Sequence, residues 1–403
     1  MNATSATSAL RAASPEIFWA CLGLVFHAYV LYPATIWAAS RLFGHLRPVP
    51  EAADTDPPPA SLVLVVYNEE AVLEERLRNA LAMDYPAGRL EILVGSDGST
   101  DRTAEIARGF ADQGVRLLDF AGNRGKAAVL NAVVAEARGE IVLMSDANTA
   151  INPVAGRRLA RWFADPAVGA VVGRLILVDL ASGRNADGLY WGFETFLKRC
   201  EARLGALLGA NGAIYAIRKS IYVPIPNGTI VDDFVIPLLA HLRSGCALLY
   251  DAEAVAVEET APDVGVEFRR RARIGAGGFQ SLGMLWRLLD PRRGWLCFAF
   301  FSHKIVRWLC PFFLLGALAA NLGLLHRPAY RWSLAAQVAF YAVALLMSVV
   351  PSGSRLLRPL RLTTMFASMN AALLVGFFRW ATGRQGGAWT RTARSGEFRE
   401  VTR

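Results

Sequence analysis

Residues 17–40 contain no Asp, Glu, Lys or Arg, and the run is long enough to cross a bilayer core of about 30 Å. A chain with such a segment is not one soluble globule, because that much apolar surface must be taken up by lipid or by a large core. Three more uncharged runs, 308–325, 332–354 and 362–378, follow later, whereas 57–268 has ordinary soluble composition. The 54% hydrophobic content of the 403 residues thus averages two unlike parts. Bulky Ile36 and Trp37 stand near the end of the first run, where a secretory signal would carry small residues for cleavage, so the run reads as a retained anchor.

The predicted organisation is an N-terminal segment (1–16), a transmembrane anchor (17–43), a linker (44–56), a polar domain (57–275), interfacial amphipathic helices (276–302), a membrane region of about three helices (303–380) and an arginine-rich tail (381–403). Residues 57–59 are PPP after EAADTD, a linker signature. The interfacial assignment follows from Arg287, Asp290, Arg292 and Arg293 lying among apolar residues. Five cysteines at irregular spacing match neither a disulfide framework nor a CxxC zinc site, and Cys21, Cys297 and Cys310 read as small hydrophobes.

The net charge of +9 comes almost entirely from arginine, with only four lysines. Charge alone leaves nucleic acid, a membrane face and an anionic substrate open. Its placement says more: Arg41 and Arg47 follow the first run, and RRRAR (269–273) with Arg287, Arg292 and Arg293 precedes the second. The positive-inside rule then puts the polar domain in the cytoplasm of an integral protein of the inner or plasma membrane. Three later crossings would leave the arginine-rich tail on the other side, so the rule and the crossing number conflict there.

Within the polar domain, short β-branched runs alternate with amphipathic stretches. SLVLVV (61–66), LEILVG (90–95), VRLLDF (115–120), EIVLMS (140–145) and AVVGRLILV (170–178) read as strands, and 69–83, 101–110 and 126–137 read as helices. The alternation predicts an α/β fold with a mainly parallel sheet and flanking helices, accompanied by about four transmembrane helices. Tyr67, Asn68, Glu69, Asp97, Asp146 and Asn148 fall where strands end, the usual ligand edge of such sheets. A dinucleotide-binding GxGxxG is missing from the first strand-helix turn; the nearest match, GAGGFQ (275–280), lacks the third glycine and follows no strand. No GxxxxGK[ST] occurs either.

Asp146 and Asn148, two residues apart at a strand end, offer hard oxygen donors for Mg²⁺ or Mn²⁺ shared with substrate phosphates, or else form a turn cap. Asp97 reads as a helix cap or as an acceptor for a base or ribose hydroxyl. Asp232 and Asp233 open a helix, where they complement its dipole or supply a general base. Arg269, Arg270, Arg271 and Arg273 are a positive-inside flank or a clamp on a departing diphosphate. Trp191, Glu194 and Glu201 share one helix face, structural or acceptor-binding.

In order, VVYNEE, GSDGSTD, GKAAVLN, SDANT, GANGAIYAIR, DDF and RRRARIGAGGFQ resemble the motif series of membrane-anchored, inverting family 2 glycosyltransferases, such as cellulose, chitin, hyaluronan and poly-N-acetylglucosamine synthases. The resemblance covers roughly 57–285, with SHKIVRWLCP (302–311) and WTRTAR (389–394) also similar. It implies a GT-A-type fold and a nucleoside-diphosphate sugar donor, UDP-linked. By it, Tyr67, Glu69 and Asp97 bind the donor nucleoside and Lys126 lies near the diphosphate. Asp146 holds the cation and diphosphate, with Asn148 in place of a second aspartate. Asp233 is the catalytic base, with Asp232 where glutamate is commoner, and Arg270 and Arg273 match positions of a QxxRW motif whose tryptophan is Ile274 here.

The expected activity is transfer to a polysaccharide or glycan with a β-linkage. A membrane lipid as acceptor is the alternative, and an inactive membrane interaction protein or transporter is the reading outside the enzyme class. Nucleic acid has no motif to support it, and the oligomeric state is left open.

Overall fold

A computed structural model of the chain describes residues 3–50, 56–178, 188–259, 264–350, 357 and 359–386. WTRTAR (389–394), most of the expected tail and part of the expected linker lie outside the described residues. The chain divides into two compact units. One comprises Met1–Thr35, Glu267–Phe279 and Phe300–Gln385, and the other Ile36–Val266, Gln280–Ala299 and Gly386–Arg403.

Among the described residues, four helical runs are long and apolar enough to cross a membrane: Ser14–Leu42, Trp295–Gly323, Pro328–Val349 and Arg361–Ala381. The first joins α1 (Ala3–Phe26), a π-helical turn (His27–Leu31) and α2 (Tyr32–Leu42) without a break. The expected interfacial segment 276–302 is not one element. Helix α9 (Val264–Leu285) runs well into it, and Arg287, Asp290, Arg292 and Arg293 follow that helix, in and between two 3-10 turns, Trp286–Leu289 and Pro291–Arg293. From Trp295 the chain is again mainly apolar, with Lys304 and Arg307 its charged residues before Gly323, and α10 (Trp295–Ala299), a π-helix (Phe300–Val306) and α11 (Arg307–Gly323) form one run that starts before residue 303. Among the described residues the cysteines are free, and only Cys200 and Cys310 are buried, so Cys21 and Cys297 are less enclosed than their apolar neighbours imply.

In the helical unit, small residues let helices approach closely. A Cβ on Gly278 of α9 would lie 2.8 Å from the Trp308 ring, and one on Gly376 of α13 (Arg361–Ala381) would lie 2.6 Å from the Ala272 carbonyl oxygen. Gly275 and Gly278 of GAGGFQ therefore serve helix packing, the first 3.3 Å from the Leu373 side chain by the same measure, which explains their presence without a nucleotide. Phe279 beside them meets Phe377 and Trp380, with ring centroids 5.1 and 5.9 Å away.

The other unit is built on a sheet of strands β1 (Ala60–Val66), β2 (Leu90–Asp97), β3 (Val115–Phe120), β4 (Ile141–Ser145), β5 (Thr149–Ile151), β6 (Val168–Val178), β7 (Tyr215–Arg218) and β8 (Ala247–Glu259), in the order β3-β2-β1-β4-β7-β6-β8-β5. β3, β2, β1 and β4 are parallel, as the alternation predicts. Beyond β4 the sheet is mixed: β7 is antiparallel to β4 and β6, β6 and β8 are parallel, and β5 is antiparallel to β8. β1 is buried along its whole length, as a continuous apolar run in a sheet covered on both faces requires. The strands missed by periodicity have plain causes. β5 and β7 are three and four residues long, and Asp251 and Glu253 interrupt the pattern of β8.

Helices α3 (Leu73–Leu81), α4 (Thr103–Arg108) and α5 (Lys126–Glu136) cover the parallel half, and α3 and α4 start later than their sequence patterns suggest. The residues so released form loops at the carboxyl edge of the sheet. Gly376→Ala is expected to lower the melting temperature of the detergent-solubilised protein, a cost of about 1–3 kcal/mol for forcing α9 and α13 apart. Gly283→Ala on α9, where a Cβ meets nothing within 4 Å, should leave it unchanged or raise it slightly.

Candidate active site

The loops after β1 and β2 are bound to each other. Asn68 sits in the left-handed region (φ 53°), which asparagine tolerates, and its side-chain oxygen accepts the Thr100 N–H at 2.8 Å. Ser99 Oγ accepts the Asn68 N–H at 3.1 Å and Thr103 Oγ1 accepts the Glu69 N–H at 2.8 Å. These bonds spend 67–72 and 98–102 on loop structure, which is why α3 and α4 begin late. Tyr67 and Glu69 are thereby held, half-buried, at the end of β1.

Asp97 is fully buried at the end of β2, and its carboxylate accepts the backbone N–H groups of Arg124 (2.6 Å) and Gly125 (3.1 Å). Gly125, at φ 87°, turns the chain into α5. Lys126 is the first residue of that helix, so Asp97 sets its position through the loop. The ammonium group of Lys126 reaches Asp146 Oδ1 at 2.8 Å and Asp232 Oδ2 at 3.3 Å.

Asp146 follows β4, and its backbone is braced from behind. Arg76, fully buried on α3, donates from Nε to the Asp146 carbonyl (3.4 Å) and from its terminal nitrogen to Asn79 Oδ1 (3.1 Å). Ser145 Oγ donates to the Ala213 carbonyl at 2.7 Å, tying β4 to the glycine-rich segment before β7. In that segment a Cβ on Gly212 would lie 2.5 Å from Asp146 Oδ2, so only glycine leaves room for the carboxylate. Gly209, at φ 71°, lies against Phe234 in the same way.

Asp232 and Asp233 open α8 (Asp232–Ser244), where the helix dipole favours carboxylates. The Ala210 N–H donates to the Asp233 carbonyl at 3.0 Å, so the glycine segment fixes the start of α8. Gln280, near the end of α9, holds the preceding loop by accepting the Ile230 N–H and donating to the Gly228 carbonyl, both at 3.0 Å. Tyr215 at the start of β7 is 1% exposed, and its hydroxyl has no hydrogen-bond partner among the described residues. With Lys126, Asp146, Gly212 and Asp232 it lines a cavity of about 10 Å³, roughly the room for one water.

Burial raises the Asp233 carboxyl to about 6, with Asp232 adding to the rise and Lys126 opposing it. Burial also acts to lower the Lys126 ammonium, but Asp146 and Asp232 outweigh it and hold the group above the usual lysine range. Burial, and then the nearby carboxylates, keep the Tyr215 phenol protonated. A cation and three carboxylates thus share one corner, with one carboxylate poised near neutrality.

No three His, Cys, Asp or Glu side chains gather as a metal cage among the described residues. The oxygen donors present are Asp146, whose Oδ2 faces Gly212, and Asn148 in the turn between β4 and β5. That set fits Mg²⁺ or Mn²⁺, which bind through one or two carboxylates and complete their shell with phosphate oxygens and water.

Of the residues singled out from sequence, the structure brings Lys126, Asp146 and Asp233 together and places Asp97 behind them as a brace. Arg270 and Arg273 lie on α9 in the stretch belonging to the helical unit, where Arg270 pairs with Glu267 at 3.6 Å. Trp191 packs against the sheet core and Glu201 is buried on α7 (Gly188–Arg203), which favours their structural reading. Asp232 as a partner of Lys126, Arg76, Tyr215 and Gln280 were not identified from sequence. Tyr215 and Gln280 stand inside quoted motifs, but only the fold shows which way they point. Gly212→Ala is expected to push Asp146 from its place and weaken nucleotide binding at least tenfold by calorimetric titration, whereas Gly192→Ala, with nothing within 4 Å of its Cβ and no positive φ, should not.

Comparison with known proteins gives this arrangement a context. Residues 61–221 match the family model described as Glycosyl transferase family 2. Over 229 residues the chain is 28% identical to the poly-beta-1,6-N-acetyl-D-glucosamine synthases of Staphylococcus aureus and Staphylococcus epidermidis, a stretch covering 55% of this chain and 55% of each relative. The chain thus spans about half the length of the curated relatives it matches. Its fold is similar to that of the mannosyltransferase PcManGT from Pyrobaculum calidifontis in complex with GDP-Man and Mn²⁺, with a TM-score of 0.70 at 24% identity over 93% of this chain and 99% of that one. Residues 61–221 are therefore a family 2 glycosyltransferase domain of GT-A-like mixed α/β fold, carried on a chain with four helices apolar enough to cross a membrane.

Proposed function

We propose that the protein is a membrane-anchored, inverting glycosyltransferase that moves a sugar from a nucleoside-diphosphate sugar, UDP-linked, to a glycan acceptor and forms a β-glycosidic bond. The observation that carries this reading is the group of Lys126, Asp146, Asp232 and Asp233 at the carboxyl edge of the family 2 domain. The relatives named as polymer synthases support a glycan acceptor. By the distribution of arginine, the domain faces the cytoplasm.

Tyr67 and Glu69 meet the nucleoside, and Asp97 supports that pocket through the loop it binds. Asp146, with Asn148, holds a divalent cation, Mg²⁺ or Mn²⁺, which neutralises charge on the diphosphate when bound; a structural relative solved with GDP-Man and Mn²⁺ accords with this. An acceptor hydroxyl attacks the anomeric carbon, Asp233 takes its proton, and the bond to the diphosphate oxygen breaks with inversion. Lys126 offers positive charge beside the departing group, and Arg270 and Arg273 are assigned to its outer oxygens. A membrane lipid is the second acceptor reading. It is favoured by Ile274, 44% exposed, an aliphatic side chain where a sugar-stacking ring would be expected.

Incubation of membranes with labelled donor separates the acceptors: a ladder or polymer supports a glycan, and a single organic-soluble product supports a lipid. Asp233→Asn should reduce transfer by about 10²–10⁴-fold while leaving nucleotide binding nearly intact. Asp146→Ala should abolish Mn²⁺-dependent nucleotide binding in calorimetric titration. A base must be ionised to act, so the transfer rate should rise as pH climbs through about 6 and then level off. Lys126→Met removes a cation that favours the ionised form, and should move that rise to higher pH.

A further inference from the structure

A cavity of about 1140 Å³ in the α/β unit lies away from the proposed sugar-transfer site. It opens by the first residues of β6 and β8 and the last turn of α8, at the sheet edge opposite Asp146. α8 carries Asp232 and Asp233 at its other end, so its length of about 20 Å separates the two sites. Arg41, Arg47, Arg199, Arg203 and Arg218 line this cavity, and among the described residues no Asp or Glu does. Arg47 is paired with Asp165, and Arg218 donates to the carbonyls of Phe163 and Val168. Arg41, Arg199 and Arg203 form no ion pair among the described residues, and an acid-free wall of guanidinium groups is costly without an anion to face.

Two candidate spans end at this wall. Leu42 closes the first, and Trp295 opens the second; the Phe43 and Trp295 rings stack with centroids 6.3 Å apart, and Trp37 adds a second indole to the lining. The His45 N–H donates to the Arg203 carbonyl at 2.9 Å and holds the segment after the first span against α7. Span ends flanked by tryptophan and arginine mark the headgroup level of a bilayer.

We propose that this cavity binds the phosphate headgroup of an anionic membrane phospholipid, with Arg41, Arg199 and Arg203 on the phosphate and Trp37 and Trp295 beside the glycerol and upper acyl chains. The site is separate from the sugar-transfer chemistry, so its failure would leave the proposed function untouched.

The test uses the full chain in maltoside detergent, stripped of lipid and titrated with phosphatidylglycerol, phosphatidylcholine or water-soluble glycerol phosphate, with bound molecules counted by native mass spectrometry. One phosphatidylglycerol should be retained, with phosphatidylcholine and glycerol phosphate both far weaker. Arg199→Gln with Arg203→Gln should weaken phosphatidylglycerol binding by roughly thirtyfold, and the paired lysine replacements should lose less. An unchanged lipid-free melting temperature confirms that the glutamine variant is folded, and if it is not, Arg41→Gln alone should still weaken binding. Equal retention of the two phospholipids, equal binding of glycerol phosphate, or wild-type retention by the folded variants would overturn the proposal.

Discussion

The arrangement of the candidate site depends on one ammonium group held between two carboxylates. Lys126 binds Asp146 from the end of β4 and Asp232 from the start of α8, elements far apart in the chain. Without it, Asp146, Asp232 and Asp233 would repel one another in a partly buried corner. Breaking such a pair typically costs about 3–5 kcal/mol, because the charge left behind is unsolvated. The positions of three acidic residues thus hinge on where α5 begins.

That starting point is itself held. Asp97 grips the turn before α5 through two backbone N–H groups, Gly125 supplies its positive φ, and the adjoining loops are bound through Asn68, Ser99 and Thr103. Around Asp146, Arg76 and Ser145 fix the backbone while Gly212 leaves room for the carboxylate. Polar side chains spent on backbone groups in this way preorganise a site, so less has to be rearranged when charge develops in it. Asp233, raised to about 6 chiefly by burial, shows the consequence of the same enclosure: a carboxylate suited to take up a proton near neutral pH.

The α/β unit also has two unlike edges. The carboxyl edge gathers acids around a lysine, and the opposite edge gathers arginines with no acid among the described residues of the cavity wall. α8 joins the two, with Asp232 and Asp233 at its N-terminus, where the dipole favours carboxylates, and its last turn by the cavity. The near-total reliance on arginine for positive charge gains a physical sense, since guanidinium groups stay charged beside apolar surface and indole rings.

Much of this was legible in the chain itself. Uncharged runs announced the four candidate spans, since hydropathy is a local property, and alternating β-branched runs announced the parallel half of the sheet. Asp146, Asp233 and Lys126 were identifiable because short motifs keep their spacing at strand and helix ends. Tertiary structure alone decided the rest. Strands as short as β5 and β7 exist only through their neighbours, and the mixed half of the sheet follows from pairings that no local period encodes. GAGGFQ proved to be helix packing, Asp97 a brace for a loop, and Arg76, Tyr215 and Gln280 parts of the site. Each is set by a long-range contact, and the identity of a partner brought near by folding is not written in the spacing of the residues beside it.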